Sequence, residues 1–239
     1  MKEIKKIKNL SIWVFILPFF ALNTCLILIT NFHQLFPNQE HILWNTIPYI
    51  DGGASISRTA RVFPTYLIFK PAMFLTSYLL IKYWIYNHSL MQRTDATLKY
   101  RKYFIFFGIS SAILLIIHSI LLGIKFDISI YKFFRRFVML FFIIFEVAAQ
   151  TYLVINLYKV KDKLINYINS EILIVKVFLV SSLILVALIC IPIVSMPGHK
   201  FFKHALEWNY FLGVISFYLL TYFMWKIKDK PATTTPLGV

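Results

Sequence analysis

Six apolar stretches, at roughly 10–31, 63–85, 103–124, 137–158, 171–195 and 205–226, alternate with short segments that hold most of the charge, glycine and proline. A helix needs about 20 apolar residues to cross a hydrocarbon core about 30 Å thick, and each stretch meets that length. The pattern predicts an all-α polytopic membrane protein, a single six-transmembrane-helix bundle over 1–230 with a disordered tail at 231–239. The longest hydrophilic stretch, about 32–62, is too short to bury a core of its own. The first apolar run follows a basic segment, as in a signal peptide. It is longer than such a run and lacks a small-x-small cleavage site, so it reads as a permanent helix.

Composition agrees, with 59% hydrophobic residues among 239, because a soluble chain of this length must cover itself with polar side chains. The formal charge of +15 could suit nucleic acid. The cations, however, gather at the ends of the apolar runs, where a membrane surface is the fitting partner. With the N-terminus inside, Lys2, Lys5, Lys6, Lys8, Lys82, Arg93, Lys99, Arg101, Lys102, Lys159, Lys161, Lys163, Lys226, Lys228 and Lys230 are cytoplasmic. They outnumber Arg58, Arg61, Lys125, Lys132, Arg135, Arg136, Lys200 and Lys203 on the other side. The positive-inside bias thus predicts an integral, multi-pass protein with both termini in the cytoplasm, N-in and C-in. The basic loop near 125–136 runs against the bias, which implies that its cations have a task.

Ionisable residues inside a membrane helix are costly unless paired or hydrated, and are the first functional candidates. Counted from the non-cytoplasmic helix ends, Lys70, His118 and Glu146 lie about 10, 9 and 14 Å deep. They are expected to form a buried polar cluster in which Lys70 and Glu146 pair, with His118 nearby and Gln150 one turn from Glu146 on the same face. The segment Pro48 to Arg61 adds Gly52-Gly53, which permit a tight turn, the hydrogen-bonding groups of Asp51 and Ser55, and Arg58 and Arg61 spaced for one helical face. That set suits a phosphate or carboxylate. It is neither a Walker loop nor a Rossmann fingerprint. In the last outer loop, His204 and Glu207 face one way, whereas His199 and His204 lack zincin spacing. No metal and no cofactor is expected. Cys25 and Cys190 lie within predicted helices and give neither metal spacing nor a disulfide framework.

The run Pro48-Tyr49-Ile50-Asp51-Gly52-Gly53 before the second span, six spans, and Glu207-Trp208 opening the sixth together resemble the Frag/DRAM/Sfk family. Its members include the GPI-anchor remodelling factor and the damage-regulated autophagy modulators. The chain departs from that family where Ile50 adjoins Asp51 without the usual serine, and where 130–136 lacks a histidine. The resemblance implies a lipid-facing role, with membrane lipids, anionic or glycosylated, as partners and room for a protein partner in the same membrane.

The leading expectation is therefore a protein that binds or organises lipid headgroups on the non-cytoplasmic side. Asp51, Ser55, Arg58, Arg61, Arg135, Arg136, His204 and Glu207 would surround the outer mouth. An intramembrane acyltransferase or hydrolase using His118, His199 or His204 with Asp51 or Glu207 is the alternative, and a small transporter or channel ranks third.

Overall fold

In the computed structural model, which describes residues 2–124 and 128–227 except for the side chains at 132, 191, 194 and 195, every long element is helical. The long helices are α1 (Lys2–Asn31), α4 (Tyr66–Thr94), α5 (Arg101–Leu121), α6 (Ser129–Val160), α7 (Ser170–Ser195) and α8 (Lys200–Met224). Two short ones, α2 (Pro48–Asp51) and α3 (Ile56–Ala60), lie in the first connection. The expected tail 231–239, and the cations Lys125, Lys228 and Lys230, fall outside the described residues.

The apolar runs set where the helices lie but not their ends. Backbone hydrogen bonding carries α1 down to Lys2 and α4 out to Thr94, past the last apolar residue, because Lys, Arg and Gln are good helix formers once a helix is nucleated. α6 starts at Ser129, so Arg135 and Arg136 stand on its second turn and not in the loop where the apolar pattern put them.

Each long helix packs on two others in a closed cycle, α1 to α4 to α5 to α6 to α7 to α8 and back to α1. Short connections between neighbours make the helices alternate in direction. One end, here called proximal, is fixed by side chains from four segments: Arg93 pairs with Glu3 at 3.4 Å, Lys163 with Asp95 at 2.8 Å, and Lys8 donates to the Trp225 carbonyl at 2.8 Å. The first connection, the start of α6 and the start of α8 meet at the opposite, distal end.

By length and composition α1, α5, α6 and the Ser170–Cys190 part of α7 can cross a membrane. α4 and α8 fall short of that measure because they hold the polar and aromatic interior. Tyr83, Trp84, Trp208 and Phe217 are wholly buried, and the Tyr83 ring sits 5.0 Å from both Trp84 and Tyr218. α7 is the reverse, with Phe178 73% and Leu188 66% exposed. Large apolar side chains outside and hydroxyls, amides and ionisable groups inside is the arrangement lipid imposes, since only the interior offers hydrogen-bond partners.

Candidate functional site

The first connection owes its shape to local chemistry. Pro48 occupies the first turn of α2, and Gly52 ends that helix in the left-handed region at φ 63°. A side chain there would be strained, and a Cβ would stand 1.8 Å from the Phe201 carbonyl oxygen, so the glycine also permits α8 to approach. The Asp51 carboxylate accepts from the backbone N–H of Ile47 and of Gly53, each at 2.7 Å, and from the Thr46 hydroxyl at 2.8 Å. Desolvation by itself raises its pKa. The three donors outweigh it and hold Asp51 below the usual carboxylate value. Ser55 caps α3 by accepting from the Arg58 N–H at 3.2 Å.

α8 clamps this segment from below. His204 Nδ1 donates to the Gly52 carbonyl at 2.9 Å, the Trp208 indole to the Ala54 carbonyl at 2.9 Å, and Asn209 to the Tyr49 carbonyl at 2.7 Å. The Glu207 carboxylate faces the backbone N–H groups of Ile56 and Ser57 that open α3. The segments 48–53 and 207–208 therefore touch. Asp51, Ser55, His204 and Glu207, expected at the outer mouth, each contact the backbone of this connection.

Beside this clamp lies a cavity of about 410 Å³, lined by Phe36, Pro37, Asn38, His41, Arg61, Val62, Phe63, Gly123, Ile124 and Arg135. Arg61 comes from the end of α3 and Arg135 from α6, so two guanidiniums distant in sequence meet over an apolar wall. Partial burial lowers the pKa of Arg61, and the charges of Arg135 and Arg58 lower it further, although arginine stays cationic at any working pH. No carboxylate is among the described lining residues. Arg58 and Arg136 do not line the cavity. His41 and Asn38 do, and the sequence offered no sign of it beyond their place in the same connection.

The interior differs most from expectation. Glu146, 1% exposed, accepts from the Ser111 hydroxyl at 2.6 Å, from Gln150 at 3.0 Å and from the Tyr218 hydroxyl. Gln150 also donates to the Val214 carbonyl at 3.1 Å. Lys70 does not pair with Glu146. Its ammonium extends to the Ile120 carbonyl at 3.5 Å, at the exposed distal end of α5, because a long lysine stem reaches for the surface when it can. His118 is buried with Nδ1 lacking a hydrogen-bond partner. On the α5 face that carries Ser111, it lies two turns, about 10 Å, nearer the cavity. The buried cation is Lys176, 0% exposed on α7, which donates to Thr221 Oγ1 at 2.6 Å and stands 3.8 Å over the Phe217 ring.

Among the described residues no group of three or more His, Cys, Asp or Glu could hold a metal ion. Cys25 and Cys190 are free thiols. Comparison with family models, with curated proteins and with solved structures finds no match for this chain.

Proposed function

We propose that this chain spans the membrane six times, with both ends cytoplasmic, and holds the anionic headgroup of a lipid in the distal cavity, in the service of lipid or lipid-anchor remodelling. The convergence of Arg61 and Arg135 on one cavity, with no carboxylate among its described lining residues, carries the reading. Two like charges placed together repel, and the arrangement becomes favourable when an external anion stands between them. A phosphate accepts from two guanidiniums in charge-assisted hydrogen bonds. The apolar wall of Phe36, Val62, Phe63 and Ile124 suits the glycerol and upper acyl region attached to such a phosphate. A cavity at the end of a bundle whose outer surface is apolar is where a headgroup would rest. The resemblance to Frag/DRAM/Sfk proteins, whose members work on lipid-linked processes, points the same way.

With Ser55, His204 and Glu207 committed to backbone contacts, binding is favoured over hydrolysis or acyl transfer. Mass spectrometry of lipids copurified with the chain tests the proposal. The expected result is enrichment of an anionic or glycosylated lipid over bulk, lost in the double variant Arg61→Gln with Arg135→Gln. Bulk composition in the wild type, or equal enrichment in the double variant, overturns it.

A further inference from the structure

Among the described residues the bundle fully buries a carboxyl group and an amine that do not touch. Glu146 and Lys176 are 1% and 0% exposed, on α6 and α7. Each instead meets a hydroxyl of α8: Tyr218 donates to Glu146, and Lys176 donates to Thr221 at 2.6 Å. Those two α8 residues lie one turn apart on one face. Tyr83 of α4 joins them, its hydroxyl 3.3 Å from Thr221 Oγ1 and its ring 5.0 Å from that of Tyr218. The other groups facing Glu146 are Ser111 and Gln150, and Phe217 faces Lys176.

A lone charge is very costly in such a place, so the interior must be neutral in sum. Two states satisfy this: carboxylic acid with amine, and carboxylate with ammonium. They differ by the position of one proton. We propose that Glu146 and Lys176 are the proton-holding stations of a proton path through the bundle, exchanging one proton by way of Tyr218, Tyr83 and Thr221.

In the transfer, the O–H of Glu146 breaks as its proton passes to the Tyr218 oxygen. Tyr218, in ring contact with Tyr83 but not hydrogen-bonded to it, swings its hydroxyl toward Tyr83 to yield its own proton; Tyr83 gives one to Thr221, and Thr221 gives one to the lone pair of the Lys176 amine. Every hydroxyl ends as it began, and one N–H has replaced one O–H. Thr221 lies one turn nearer the proximal end of α8 than Tyr218, so the exchange carries a proton a short way toward that end. His118 lies about two turns nearer the distal cavity on α5, with Nδ1 unpartnered and no hydrogen bond to the Glu146 cluster. Ionisable chains of this kind are how membrane proteins conduct protons. The path does not depend on the headgroup reading.

The test uses the full chain reconstituted in vesicles of phosphatidylcholine and phosphatidylglycerol that enclose a pH-sensitive dye, with potassium and valinomycin setting the potential. Wild-type vesicles are expected to acidify faster than empty ones, and Glu146→Gln and Lys176→Met to return the rate to that of empty vesicles. Tyr218→Phe and Thr221→Val, which preserve shape, are expected to slow it and serve if either charge variant fails to fold. Wild-type vesicles that match empty ones, or folded variants that all conduct like wild type, overturn the proposal.

Discussion

At the scale of single residues, the carboxylates of this chain divide by what donates to them. Glu146 receives three side-chain donors from three helices, so Glu146→Ala leaves three buried donors facing a void. Its unfolding free energy in mixed micelles should fall by about 2 kcal/mol, and Glu146→Gln, which keeps the shape and an acceptor, should lose less than half of that. Asp51 receives its donors within one turn. Because its pKa is lowered in the folded chain, its contribution is complete above the ordinary carboxylate value of about 4 and is lost as pH falls through the lowered one. Hydrogen exchange at the Ile47 and Gly53 amides should therefore gain protection up to that range and stay level above it. The link between Glu146 and Gln150 is readable from their spacing of four. The choice of cation is not, because depth along a helix says nothing of the direction a side chain faces. Lys70 matches Glu146 in depth yet turns to the surface, while Lys176 is enclosed at a different depth.

Among the elements, α4 and α5 approach most intimately where Gly108 meets Trp84. A Cβ at Gly108 would lie 2.4 Å from the indole ring, and Trp84 is wholly buried with Phe104 beside it. Gly108→Ala should accordingly cost about 1 to 3 kcal/mol, read as a lower denaturation midpoint in micelles. The contact of α8 with the first connection rests on Trp208, whose indole donates to Ala54 and whose ring lies 4.9 Å from Tyr49. Trp208→Phe should loosen the connection ahead of the bundle: faster hydrogen exchange across 48–61 with α5 and α6 unchanged, and a loss of about 1 kcal/mol. The apolar runs located all six long helices, since each of them covers most of one of those runs, although only four meet the length and hydropathy a crossing requires. The clamp was hidden, since Gly52 is far along the chain from Glu207 and Trp208 and only the packing of α8 against α1 and the first connection brings them together.

For the whole molecule, the closed cycle of six helices puts the α4–α5 and α6–α7 connections at the proximal end and the first connection and the start of α8 at the other. In a cysteine-free background, Thr97→Cys and Asp162→Cys should react with an impermeant maleimide from the cytoplasmic face, and Glu40→Cys and Pro197→Cys from the opposite face. Labelling of all four from one side would refute six crossings. The excess of lysine and arginine is the ground for the orientation proposed. It could not foretell that the exception, Arg135, would meet Arg61 at a shared cavity, because that depends on how the start of α6 turns toward the first connection.

The order in which the cycle closes also bears on the making of the protein. The hydrogen-bond partner of Lys176 and the ring beneath it, Thr221 and Phe217, both belong to α8, which leaves the ribosome after α7. Until α8 inserts, α7 carries a lysine with nothing to receive its proton donors but lipid or the insertion machinery. A bundle still lacking α8 thus displays a polar group on an otherwise apolar helix. Arrival of α8 covers it, with Thr221 taking its hydrogen bond and Phe217 its charge.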